Sequence, residues 1–177
     1  MSLVINLYGG PCSGKSTTAA GIFYHLKLQH QHCEMVREYV KNWVWTGLKP
    51  TKYDQIYLFG KQVRYESMLY DKVDIIITDS PFMIAGFYDK HYNGSTAITE
   101  SALDFLNKAK GHGIRYLNFW LPTSKNYDIR GRYNDESDAI NISVNLKEYL
   151  HLHNVDLIDV PSENQMDFIL ETIKKNI

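Results

Sequence analysis

Two cysteines in 177 residues, Cys12 and Cys33, are too few for a disulfide framework. Their shortage excludes the small stapled secreted scaffolds and points to a cytoplasmic chain. Charge of one sign is lacking too: 19 Lys and Arg stand against 20 Asp and Glu, a formal net charge of −1. No global basic field therefore advertises nucleic acid, although a local basic groove is compatible with that balance. No apolar run approaches the roughly 20 residues that a membrane span requires. The first residues carry no basic segment ahead of a longer apolar core, so no signal peptide is expected. Repeats and low-complexity linkers are also missing. What is there, 44% hydrophobic and 22% charged residues, is an ordinary globular composition that argues against disorder. One domain over residues 1–177 is the simplest organisation, long enough to bury a core unaided.

One stretch organises the rest. Gly9-Gly10-Pro11-Cys12-Ser13-Gly14-Lys15-Ser16-Thr17 follows the apolar run Leu3–Tyr8 and opens a helical pattern over residues 17–28. Gly9, four residues, then Gly14-Lys15-Ser16 is the spacing of a phosphate-binding P-loop between a strand and a helix. Glycines let the backbone curl so that successive N–H groups point inward as an anion nest. The helix that follows aims its positive end at the same place. Lys15 is placed to reach the β- and γ-phosphates of ATP, and the Ser16 hydroxyl to ligate Mg²⁺.

Strands and helices alternate along the chain. Leu3–Tyr8 reads as the first strand and Cys33–Val36 as a short second one. Residues 38–45 look helical, and Gly47 and Pro50 break that pattern. Residues 53–69 read as a long, partly exposed helix, with Thr51 and Asp54 as a capping box. Residues 73–78 are the clearest buried strand. It ends at Asp79-Ser80-Pro81, where Pro81 can start a helix with Ser80 as cap. Residues 99–110 are helical, and 115–121 form a fourth strand halted by Pro122. Ala139, Ile142, Leu146 and Leu150 mark another helix. Residues 155–160 form a fifth strand. Ser162-x-x-Gln165 is a capping box for a last helix that buries Met166, Ile169, Leu170 and Ile173. This alternation predicts an α/β fold, a three-layer P-loop NTPase arrangement of five parallel strands with helices on both faces.

Ligands of such sheets bind beyond the strand C-termini, which selects the residues able to meet a nucleotide. Asp79 follows the most buried strand. It either holds Mg²⁺ through water, or activates the acceptor, or merely caps a helix. Arg37-Glu38-Tyr39 ends the second strand. Glu38 either takes a proton from an acceptor hydroxyl or starts a solvated helix. Lys125, Arg130 and Arg132 lie in a polar stretch, 122–136, that reads as a lid closing over the transferring phosphate or as a solvated basic loop. Gln62, Arg64 and Glu66 sit on the long helix among tyrosines. The Gln62 amide is suited to a base edge, and an ordinary amphipathic helix accounts for it equally. The H-x-H pairs, His30 with His32 and His151 with His153, lack a carboxylate or cysteine at zinc spacing and read as solvated.

Together the P-loop, Arg37-Glu38-Tyr39-Val40, Asp54 and Gln62 on a long helix, Ile-Ile-Thr-Asp-Ser-Pro, and Gly131-Arg132-Tyr133 with Glu136 and Ala139 resemble the small P-loop kinase-like AAA-domain proteins. Bacteriophages encode many of these. They are similar to nicotinamide riboside kinases and, more distantly, to deoxynucleoside and nucleoside monophosphate kinases. The resemblance covers residues 3–150 and implies a five-stranded parallel core, a mobile arginine lid, ATP and Mg²⁺. It implies that Glu38 acts as base and that Gln62 reads the base of the substrate; the expected substrate-binding set is Arg37, Glu38, Gln62 and Arg64. The chain departs from the deoxynucleoside kinases where their Glu-Arg-Ser signature is replaced by Asp79-Ser80-Pro81. Three functions follow as expectations. The first is a kinase of a nucleoside, nucleotide or modified nucleobase. The second, implied by some phage relatives, is a kinase of hydroxymethylated pyrimidines in DNA. The third is an NTPase switch that hydrolyses ATP to act on a partner.

Overall fold

β1 (Leu3–Tyr8) is buried at all six positions, as an unbroken apolar run requires of a strand covered on both faces. In the computed structural model, which describes residues 1–51, 53–123 and 136–177, β1 is the middle strand of a five-stranded sheet. The other strands are β2 (Cys33–Val36), β3 (Ile75–Thr78), β4 (Arg115–Trp120) and β5 (Ile158–Asp159), in the order β2-β3-β1-β4-β5. Every neighbouring pair is parallel. Register sets Asn6 opposite Thr78 and Tyr8 opposite Trp120, while Val36 also faces Thr78. The exits of β1, β2 and β3 therefore lie side by side.

Seven helices complete the described chain: α1 (Lys15–Leu28), α2 (Lys41–Trp45), α3 (Gln55–Ser67), α4 (Met83–Asn93), α5 (Ala97–Gly111), α6 (Glu136–Leu152) and α7 (Gln165–Lys174). Alternate residues of β1 serve opposite layers, as strand geometry dictates. Leu3, Ile5 and Leu7 pack against Ala19, Ile22 and Leu26 of α1 and against Ile169 and Ile173 of α7. On the other face, Tyr8 packs with Met83 and Phe87 of α4, Ala102 of α5, and Ile142, Leu146 and Leu150 of α6. The protein is thus an α/β three-layer fold with a parallel sheet. Each fully buried Ile or Leu of this core is worth about 2–5 kcal/mol against truncation to Ala. No described helix is long and apolar enough to cross a membrane.

Several boundaries differ from the sequence reading, each for a local reason. The helix expected over residues 38–45 contracts to α2, which is entered through tight turns closed by Asn42 N–H on the Tyr39 carbonyl at 3.2 Å and Trp43 N–H on the Val40 carbonyl at 2.9 Å. Ser80 does not cap α4. Its N–H donates to Thr78 Oγ1 at 3.1 Å, and the first turn closes from Ile84 N–H to the Pro81 carbonyl at 2.9 Å. The Ser162-x-x-Gln165 box does not form either, since Asn164, at φ 52°, occupies the cap position without a side-chain bond. Asp54 does reach back to Thr51, accepting its N–H and its hydroxyl at 2.7 Å each. The strand expected over 155–160 narrows to Ile158–Asp159.

Candidate active site

The loop between β1 and α1 is wound too tightly for side chains. Gly9 has φ 150° and Gly14 φ 82°. A Cβ on Gly9 would fall 2.5 Å from Ser13 Oγ and 3.0 Å from the Leu121 carbonyl oxygen. A Cβ on Gly10 would meet Ser143 Cβ of α6 at 2.6 Å, so α6 packs directly on the loop. Cys12, buried at φ 63°, is held in a left-handed conformation that costs an ordinary residue about 1–2 kcal/mol. Ser13 N–H closes the curl onto the Gly10 carbonyl at 3.3 Å, and Thr18 N–H donates to the Gly14 carbonyl at 2.8 Å to start α1. The first-turn amides of α1 lack intrahelical acceptors, as in any helix. No acidic side chain stands in that turn to repel an anion. Lys15 Nζ donates to the Gly9 and Gly10 carbonyl oxygens at 2.8 Å each, so the ammonium spans the rim of the curl. Pro11 is half-buried, while Ser16 and Thr17 are exposed on the first turn.

Beside this loop the exits of β2 and β3 are tied together. Asp79, 5% exposed, accepts the backbone N–H of Glu38 on Oδ1 at 2.9 Å. A charge-assisted bond of this kind fixes the direction of the Asp79 carboxylate and anchors the backbone of Glu38. Glu38 is half-buried next to it, and Arg37 is exposed.

The inner face of α3 carries an unexpected polar stripe. Gln62 and Glu66 are 5% and 0% exposed, on a helix that the sequence marked as partly exposed. Glu66 Oε1 accepts the Tyr70 hydroxyl at 2.6 Å, and the Tyr70 and Tyr116 hydroxyls lie 2.8 Å apart. Among the described residues, Gln62 Nε2 and Glu66 Oε2 are buried without a hydrogen-bond partner. Burial pushes the Glu66 carboxyl up to about 7 from the usual 4.5, against the opposing pull of the tyrosine hydroxyls. Burial, followed by the Glu66 charge, also raises the Tyr8, Tyr70 and Tyr116 phenols. Sequence reasoning named Glu66 on this helix and gave it no role. The spacing of Gln62, Glu66 and Tyr70, one polar residue every four, was the available signal.

The structure therefore brings together the P-loop residues Gly9, Gly10, Pro11, Cys12, Ser13, Gly14, Lys15, Ser16 and Thr17 with Asp79 and Glu38. It does not bring Arg64 to Gln62: two positions along a helix is about 200° of rotation, and Arg64 is exposed. Lys125, Arg130 and Arg132 lie outside the described residues. The donor set suits a magnesium nucleotide. A curl that a Cβ would fill, a lysine at its rim and oxygen donors on Ser16 and Asp79 match polyphosphate and a hard cation.

Solved structures with this fold include the deoxyadenosine kinase from M. mycoides. With products dCMP and a flexible dCDP bound, it is 16% identical, with a TM-score of 0.63 over 99% of this chain and 100% of that one. With dATP bound, the same enzyme is 17% identical, with a TM-score of 0.59 over 98% and 99%. The Mycobacterium tuberculosis APS kinase is 11% identical, with a TM-score of 0.54 over 99% and 96%. No curated protein matches the chain. The AAA domain family matches residues 4–167, nearly the whole length, and the chain belongs to that family.

Proposed function

We propose that this protein is an ATP- and Mg²⁺-dependent phosphotransferase whose acceptor is a nucleoside, nucleotide or modified nucleobase. The observation that carries this reading is the bond from the Glu38 N–H to Asp79 beside the P-loop. It anchors the backbone of Glu38 to the carboxylate at the exit of β3, so two carboxylate residues sit side by side beside the loop, the pair that group transfer needs and simple nucleotide binding does not.

In this reading the loop amides and Lys15 hold the β- and γ-phosphates. Lys15 exchanges its two carbonyl contacts for phosphate oxygens. Ser16 and Asp79 would hold Mg²⁺, which when bound offsets the phosphate charge. Asp79 Oδ1 accepts the Glu38 N–H, so Oδ2 would be the oxygen offered to the metal or its water. Glu38 orients the acceptor hydroxyl and accepts its proton. Gln62 Nε2, a buried donor with no acceptor among the described residues, binds a carbonyl or ring nitrogen of the acceptor. Arg37 flanks the acceptor's entrance, and Arg64 on the outer face contacts only an extended substrate. Arg130 and Arg132 are assigned from sequence to the charge of the transferring phosphate, as a lid over residues 122–136. The folds of the deoxyadenosine and APS kinases are compatible with this reading.

The test is transfer of labelled γ-phosphate from ATP to a panel of nucleosides, nucleotides and hydroxymethylated bases, free and in DNA. Label on at least one acceptor is expected, with little phosphate released in its absence. Release of inorganic phosphate regardless of acceptor would replace the kinase with an NTPase switch.

A further inference from the structure

Glu66 has no part in the proposed transfer chemistry, yet hydroxyl groups link its carboxyl to a cavity deeper in the fold. The cavity, about 60 Å³, lies between β1, β4 and α5. Asn6, Tyr8, Tyr116 and Asn118 line it from the sheet. Lys110 and Asp156 line it as well, and both are exposed, so the cavity borders solvent on that side. Asn6 Nδ2 donates to Asn118 Oδ1 at 2.8 Å, and Asn118 Nδ2 donates to the Asp156 carbonyl at 3.1 Å. This run of amides leaves Asn6 Oδ1 as an acceptor. Asn6 is 3% exposed, and its Oδ1 has no partner among the described residues.

Size and polarity select the occupant. Apolar cavities stay dry, whereas polar ones take water, at about 30 Å³ per molecule in the liquid. About two molecules therefore fit, and a larger ligand does not. The sheet side of the wall is made of neutral amides and phenols, which suits a neutral occupant. Asn6 Oδ1 supplies an acceptor, and Tyr8 and Tyr116 bring hydroxyls that both donate and accept.

From the cavity a short chain of hydroxyls leads to Glu66. The Tyr116 and Tyr70 hydroxyls lie 2.8 Å apart, and the Tyr70 hydroxyl donates to Glu66 Oε1 at 2.6 Å. With Glu66 protonated on Oε1, the carboxyl donates to Tyr70, Tyr70 to Tyr116, and Tyr116 to cavity water. As each proton crosses to the next oxygen, Glu66 is left ionised and both phenols are neutral as before. Water then carries the extra proton to solvent. The orientation in the structure, Tyr70 donating to Glu66, is the one this passage leaves behind. Burial raises both phenols, so neither holds charge on the way. Burial also brings the Glu66 carboxyl to about 7, where it gains and loses its proton near neutrality. The Tyr70 and Tyr116 hydroxyls act on that carboxyl, and the Tyr8 phenol feels its charge.

We propose that this cavity is a water site, and that its water exchanges the Glu66 proton with solvent through the Tyr116 and Tyr70 hydroxyls. A buried carboxyl without such a route exchanges only when its surroundings open. The charge on the inner face of α3, one turn from Gln62, then follows solvent pH while the helix stays folded. No nucleotide enters this exchange, so it stands whether or not the protein is a phosphotransferase.

The test uses protein labelled with ¹³C at tyrosine Cζ, in equal parts of H₂O and D₂O. A hydroxyl that exchanges slowly gives two carbon lines, and one that exchanges fast gives a single line. Wild type should give single lines for Tyr116 and Tyr70. Leu106 lines the cavity from α5, so Leu106→Phe fills it, while Asn6→Leu removes its buried acceptor. Each variant should split both lines, and Leu106→Met, of similar volume, should not. The pH midpoint of Glu66, read from its ¹³Cδ shift, should be the same in Leu106→Phe as in wild type, because a blocked route changes the rate and not the end states. If circular dichroism shows only one variant folded, that variant decides. Split lines in wild type or in Leu106→Met, or single lines in every folded cavity variant, would overturn the proposal. So would a split accompanied by a shifted midpoint, or wild-type hydroxyl exchange that rises with urea in step with the α3 amides, the mark of local unfolding.

Discussion

Glu66→Gln isolates the cost of the buried carboxylate. Glu66 is fully buried on the inner face of α3, and burial drives its carboxyl from 4.5 to about 7. Between those values the folded protein holds a proton that the unfolded chain has released. This contribution to stability is therefore fully present below about pH 4.5 and is lost as pH rises through about 7. At about 1.36 kcal/mol per pH unit the loss totals about 3 kcal/mol, of which about 2 falls between pH 5.5 and 8. Glutamine keeps an oxygen for the Tyr70 hydroxyl at 2.6 Å and carries no charge. Its added N–H groups impose a cost of their own, about 1–3 kcal/mol, that does not vary with pH. The difference in pH dependence thus survives whatever the offset. Urea unfolding followed by tryptophan fluorescence, with buried Trp120 as one reporter, measures both proteins at pH 5.5 and 8. Wild type should lose about 2 kcal/mol more than the variant over that interval. Other carboxylates and histidines titrate in both proteins and cancel. Parallel pH profiles would refute the reasoning and place water or a cation beside Glu66.

Three further outcomes follow from the site. Lys15→Ala should lower kcat by about 10²–10³, the usual loss of one donor to developing transition-state charge, with melting temperature nearly unchanged; titration of both against ATP checks it. Asp79→Asn should raise the Mg²⁺ concentration for half-maximal activity. Glu38→Gln should lower kcat by about 10²–10⁴ with ATP affinity preserved, and an altered Mg²⁺ requirement only in the Glu38 variant would exchange the two roles. Arg130→Ala/Arg132→Ala should lower kcat with acceptor KM little changed, if these arginines meet charge present only in the transition state.

The P-loop was legible because its chemistry is local: a strand, a curl of glycines and a helix start are all written in one stretch of sequence. β1 and β3 were legible because burial on both faces leaves a bare apolar run. α4 was harder to read. It carries Gly86 in its interior, a poor helix residue, and the reason is tertiary: a Cβ there would meet the Tyr149 hydroxyl at 2.5 Å and Thr99 Oγ1 at 2.9 Å. The buried stripe on α3 broke the expectation that a helix turns apolar residues inward. Its explanation, Tyr116, arrives from β4, 50 residues after Glu66. The Glu38–Asp79 bond joins residues 41 apart, so the sequence named both carboxylates without showing that one holds the other's backbone. The tyrosines of α3 were visible in the sequence only as scattered rings, and Tyr39, ahead of α2, brings Tyr57, Tyr65 and Trp43 around itself.

The central claim is that the two carboxylates beside the P-loop couple ATP cleavage to an acceptor. Single-turnover measurement of ADP formed against acceptor phosphorylated tests it most directly, using wild-type protein, Mg²⁺ and the acceptor that the labelled panel identifies. The account predicts one ADP per phosphorylated acceptor and almost none when acceptor is omitted. ADP formed at the same rate without acceptor, or in clear excess over phosphorylated product, would contradict it.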